Sequence, residues 1–167
     1  MSRRMMILFF AVVAAQVVGL VLFAGVRQVA LTQGREVTLQ TAPVDPRSLL
    51  QGDYAILDYE IARLPSRMRD EREGDVVYVV LHECGEVWCA DRYSSWEPEP
   101  PDVFIRGRVT DRRRLDFGIG TFFVPEGTGH IVEQARDVKV VVSLSASGNA
   151  VINQVLVDGR PFDPEGR

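Results

Sequence analysis

Residues 5–26 read MMILFFAVVAAQVVGLVLFAGV, an unbroken run of 22 residues without a charge. No other feature constrains the chain as strongly. At 1.5 Å per residue the run makes a helix of about 33 Å, against a hydrocarbon core of about 30 Å. In lipid only a helix or a closed barrel satisfies its own backbone groups, so one transmembrane helix is expected here. The rival is a cleaved signal peptide, with an apolar core of about 7–15 residues and a small-x-small cleavage site. This run is longer, and Leu22-Phe23-Ala24 is a poor site, so the sequence favours an uncleaved anchor. Gln16 is the one strongly polar side chain within it. It is either a tolerated polar residue or a hydrogen-bonding group for a neighbouring helix, worth about 0.6 kcal/mol.

Arg3, Arg4 and the terminal amine face Arg27 and Arg35 across the span, a slim positive-inside bias. It places residues 1–4 in the cytoplasm, residues 5–26 in the membrane and residues 27–35 in a connector. Residues 36–160 then form an extracytoplasmic domain, followed by a loose tail over 161–167. In a bacterium this is a single-pass inner-membrane protein with its C-terminal domain in the periplasm. All 23 acidic residues lie at or after Glu36, so residues 28–167 carry 16 basic against 23 acidic residues, a net charge of −7. Nucleic acid is a poor partner for such a surface.

The exported part reads as mainly β. Val37, Leu39 and Thr41 alternate onto one face. Asp45-Pro46 signals a helix start or turn, and residues 54–61 (YAILDYEI) read as a strand after the Gly52-Asp53 break. Residues 63–74 form a polar loop. Residues 75–82 (DVVYVVLH) are apolar and β-branched, and residues 87–93 suit their hairpin partner. A proline-rich loop follows over 94–101, then a strand over 102–110, an exposed arginine turn at 112–114, and short strands over 115–124 broken by Gly118 and Gly120. Residues 126–136 allow a short helix. Residues 138–144 and 150–158 make a hairpin around Ser147-Gly148-Asn149. About eight strands with one or two short helices point to an antiparallel β-barrel or sandwich.

The octapeptide Gly52-Asp53-Tyr54-Ala55-Ile56-Leu57-Asp58-Tyr59 matches the pattern GDYxxLxY. Residues 45–50, 60–61, 105–109, 117–119 and 123–127 extend the match, and the chain resembles the bacterial GDYXXLXY family over most of its exported part. The resemblance implies a membrane anchor and a multi-span membrane protein, encoded nearby, as partner; it carries over no catalytic residue. Physically, Gly52 can take positive φ and Asp53 can accept backbone N–H bonds, while Tyr54, Ile56 and Asp58 face away from Leu57 and Tyr59. The motif is thus either a turn with strand entry or a binding site built on Asp53, Tyr54 and Tyr59.

Other constellations are thinner. A Gly-Asp before an apolar strand also resembles the strand entry of signal-peptidase-type barrels, whose serine–lysine dyad would here be Ser48 and Lys139. Glu126, His130 and Glu133 share one face if 126–136 is helical, a weak divalent-metal candidate that Gly127 and Gly129 argue against. His82 reads as a turn residue. Cys84 and Cys89 flank Gly-Glu-Val-Trp, a spacing that is wrong for CxxC chemistry. They form a hairpin disulfide, stay reduced, or do redox chemistry. Trp88 and Trp96 either pack on the sheet or expose a binding surface. Nothing implies a cofactor. With no convincing nucleophile–base pair, the first expectation is a membrane-anchored accessory or binding module, and the second a membrane-tethered hydrolase.

Overall fold

The computed structural model describes residues 4, 9–10, 12–20, 34–42, 54–68, 70–110, 113–124, 135 and 137–162. Met1–Gly34 and Arg35–Arg167 are separate compact units. In the first, residues 9–10 and 12–20 are helical, with exposed side chains. Among the described residues no helix is long and apolar enough to cross a membrane. Insertion of residues 5–26 as a transmembrane helix therefore rests on the sequence.

The second unit is built of antiparallel strands. β1 (Arg35–Gln40), β8 (Val138–Leu144), β9 (Ala150–Val157) and β10 (Arg160–Pro161) form one sheet in the order β1-β8-β9-β10. β4 (Val87–Ser94), β3 (Val76–Cys84), β5 (Val103–Val109) and β6 (Leu115–Asp116) form a second, in the order β4-β3-β5-β6. β2 (Tyr54–Ile56) pairs with β7 (Thr121–Phe123) as a short ribbon.

Alternation sets which face each strand buries. Val37 and Leu39 of β1 pair with Val142 and Val140 of β8, and all four are buried. Val77, Val79 and Leu81 of β3 and Ile105 of β5 bury the corresponding face of the other sheet. These two faces share one apolar core, joined by Leu57, Tyr59, Ile61, Leu64, Phe117 and Ile119 from the connecting segments. Removing apolar area from water at about 25 cal/mol per Å² is what holds the two sheets together.

Contacts outside the core also join the sheets. Arg35 of β1 lies 5.1 Å over the Trp88 ring of β4. Lys139 of β8 pairs with Glu86, in the β3–β4 turn, at 2.9 Å. The Gly148 carbonyl, at the β8–β9 tip, accepts the Arg106 N–H of β5 at 2.8 Å.

Several expectations need correction. The strand expected over residues 54–61 ends at Ile56, and Glu60–Ala62 forms a 3-10 turn. Ile61 and Ala62 are both buried, which no strand with one buried face allows. The polar loop over 63–74 contains a second 3-10 turn at Ser66–Met68 and buries Leu64. His82 lies within β3, which runs two residues further, rather than in a turn. The arginine turn is not uniformly exposed, because Arg114 is half-buried in an ion pair with Asp58. The chain stays on the domain through Phe162, whose N–H donates to the Val155 carbonyl at 2.7 Å. Residues 163–167 of the expected tail lie outside the described residues, as does the short helix expected over 126–136 except at Ala135, which is not helical.

Candidate functional site

The segment from Tyr54 to Arg63 crosses between the two sheets, and its alternation decides what it presents. Ala55, Leu57 and Tyr59 are 1%, 6% and 2% exposed, whereas Ile56 is 36% exposed. Tyr59 is anchored twice. Its hydroxyl donates to the Ile119 carbonyl at 2.8 Å, and its ring meets Phe117 edge-on at 6.3 Å. Burial pushes the Tyr59 hydroxyl far above the usual phenol range, so it stays a neutral donor. Asp58 points the other way. Its carboxylate accepts the Tyr59 N–H at 3.0 Å and pairs with the Arg114 guanidinium, while its carbonyl accepts the Ala42 N–H at 2.8 Å.

This arrangement frames two clefts. One, of about 300 Å³, is lined by Ala42, Tyr59, Glu60, Arg63 and Arg114. The other, of about 140 Å³, lies beside Ile61, Val87, Trp88, Ala90 and Tyr93, with Gln40, Cys89 and Glu60 completing it. Glu60 lines both. The Tyr93 hydroxyl donates to the Ile61 carbonyl at 3.0 Å, and burial raises it above its ordinary pKa against a smaller lowering by Arg67. Arg35 stacked on Trp88 steadies that wall by a cation–π contact. The larger cleft thus carries two arginines and a glutamate, and the smaller one two aromatic side chains.

A family model described as GDYXXLXY protein matches residues 16–155. The chain belongs to the GDYXXLXY family. No curated protein and no solved structure matches it. Of the positions in the GDYXXLXY name, Leu57 and Tyr59 are core residues, and Tyr59 doubles as a cleft wall. Gly52, Asp53 and the Tyr54 side chain lie outside the described residues. Asp58, which the name leaves as a variable position, is the one that holds Arg114 at the cleft.

Of the remaining candidates, those within the described residues are not brought into this site as catalytic groups. Lys139 is hydrogen-bonded by Glu86 and Asp137, and both raise its pKa, Glu86 the more. Asp137 is in turn held below the usual carboxylate range, first by the Gln40 amide and then by Lys139. A lysine kept cationic is the reverse of what a serine–lysine hydrolase needs from its base. Ser48 lies outside the described residues, as do Glu126, His130 and Glu133. Among the described residues no group of His, Cys, Asp or Glu is arranged to hold a metal. Trp88 is half-buried against the core, and Trp96 is 83% exposed. Neither cleft was foreseen from the sequence, because Asp58 and Arg114 are separated by 56 positions.

Cys84 and Cys89 are joined by a disulfide, with Cα atoms 5.9 Å apart. The bond closes the β3–β4 turn that carries Glu86 and adjoins the Trp88 cleft. For so short a loop the chain-entropy model gives about 2 kcal/mol. Dithiothreitol is expected to lower the unfolding free energy obtained from urea denaturation of the purified protein by that amount, and a Cys84→Ser/Cys89→Ser variant should no longer respond to reductant. Two alkylatable thiols in protein purified without reductant would contradict the bond.

Proposed function

We propose that the protein is a membrane-anchored, extracytoplasmic binding module that acts with another membrane protein. The observation that carries this reading is the pair of clefts meeting at Glu60, one holding two arginines and one aromatic, built by the end of the family motif. Convergent polar groups beside an apolar recess suit recognition. The uncharged run over 5–26 supports an anchor with the N-terminus in the cytoplasm, and Gln16 within it supports contact with a partner helix.

The test separates pairing from tethering. Residues 5–26 are replaced by an unrelated single-pass helix of equal length and orientation, and the protein is purified from membranes in mild detergent. The native chain is expected to bring down the membrane protein encoded beside it. Alanine at Trp88 and at Arg63 should weaken that complex at least as much as the helix replacement does. An alkaline phosphatase fused after Arg167 should be active. An inactive fusion would overturn the topology, and absence of any associated membrane protein would overturn the module.

A further inference from the structure

Arg63 and Arg114 face each other across an isolated antiparallel bridge. Directly opposed residues of such a bridge project to the same side, and both arginines line one cleft. Asp58 neutralises Arg114. Arg63 is exposed and makes no ion pair or side-chain hydrogen bond among the described residues. It lines the 300 Å³ cleft with Arg114, while the Tyr59 ring closes one wall. An arginine fork matches a carboxylate in two parallel hydrogen bonds. Glu60 lines the same cleft and makes no ion pair among the described residues. Its negative charge offsets that of Arg63, so the paired hydrogen bonds of the arginine fork, not a surplus of positive charge, would hold a carboxylate there, and a dianion such as phosphate is disfavoured.

The neighbouring cleft, about 140 Å³ against Ile61, Trp88 and Tyr93, has the size of an apolar cavity that accepts one benzene ring. It begins at the same Glu60. In an extended peptide every second side chain points to the same surface, about 6.6–7 Å apart. We propose that the two clefts are one seat for an extended segment of a partner protein carrying an acidic residue, any residue, then an apolar residue. The acidic side chain pairs with Arg63, and the apolar one enters the Trp88 cleft. This deepens the binding-module reading and rests on it.

The full chain carries only two tryptophans, so Trp96→Phe leaves Trp88 as the sole indole reporter. In detergent, this variant is titrated with the blocked tripeptide N-acetyl-Glu-Gly-Leu-amide, with its Gln-Gly-Leu counterpart, and with glycerol phosphate. The Glu peptide is expected to change Trp88 emission saturably, and the Gln peptide to bind at least tenfold more weakly. Arg63→Ala should cost the Glu peptide the same factor and leave the Gln peptide unchanged, with Arg63→Lys between. That pattern is a coupling between two charges, which a merely structural arginine would not produce. No saturable signal up to about 10 mM, a range of very weak affinity, would overturn the seat. So would equal binding of both peptides, or Arg63-dependent binding of glycerol phosphate tighter than that of the Glu peptide. If the tripeptide fails while the membrane complex still co-purifies, the seat is wrong and the module stands.

Discussion

Tyr59→Ala is expected to destabilise the β domain by about 3–5 kcal/mol, the range for removing a large buried aromatic side chain. The position is 2% exposed, packs on Phe117 and satisfies the Ile119 carbonyl. Tyr59→Phe keeps the ring and orphans that carbonyl, so about 1–2 kcal/mol is expected. Urea unfolding followed by Trp fluorescence measures both. A pH series separates them further. The folded chain holds the Tyr59 proton well above the pH at which an unfolded tyrosine releases it, about 10. The contribution is therefore complete below about pH 10 and is lost as the pH rises beyond it, because only the unfolded state gains from ionising. Tyr59→Phe should flatten this alkaline loss, leaving the smaller part that Tyr93 contributes in the same direction. An unchanged alkaline slope would show that Tyr59 is not the buried phenol.

Gly148→Ala is expected to cost about 2–4 kcal/mol, through backbone strain and overpacking together. Gly148 has φ +77°, and a Cβ there would lie 2.7 Å from the Phe104 ring and 3.0 Å from the Arg106 nitrogen. Phe104 is already held against Tyr78, edge-on at 5.6 Å, so the ring cannot simply swing away. Gly159→Ala supplies the control. Its φ is +78°, but nothing lies within 4 Å of the added methyl, so only the conformational cost of about 1 kcal/mol remains. If the two variants melt together, the β8–β9 tip does not close onto β5 as described.

The strands over residues 76–84, 87–94, 103–109, 138–144 and 150–157 were legible because β-branched residues and strict alternation act locally. So was the grouping of Leu57 with Tyr59 on one face, opposite Ile56 and Asp58. The break after Ile56 was not, since YAILDYEI keeps a strand's composition while Ile61 and Ala62 bury adjacent side chains. Only the packing of two sheets against that segment makes the turn favourable. The clefts were illegible for a related reason. Arg114 reads as one of three arginines in a polar turn, and its burial goes with an ion pair to Asp58, 56 positions away in the chain. Lys139 read as an available base until its two carboxylate partners, Glu86 from the opposite sheet and Asp137 next to it, were in place.

Lys139 is also the only lysine in the chain. A lysine-specific protease therefore has a single peptide bond to cut, and that bond lies in a strand paired on both sides, with Gln40 of β1 and Leu156 of β9 opposite the lysine. Cleavage requires β8 to leave both neighbours, which amounts to opening the core. When reclosing outpaces cutting, the digestion rate reports the population of that open form. The domain thus contains its own one-site gauge of conformational opening, usable in crude membranes, where appearance of a single truncated band would count the openings.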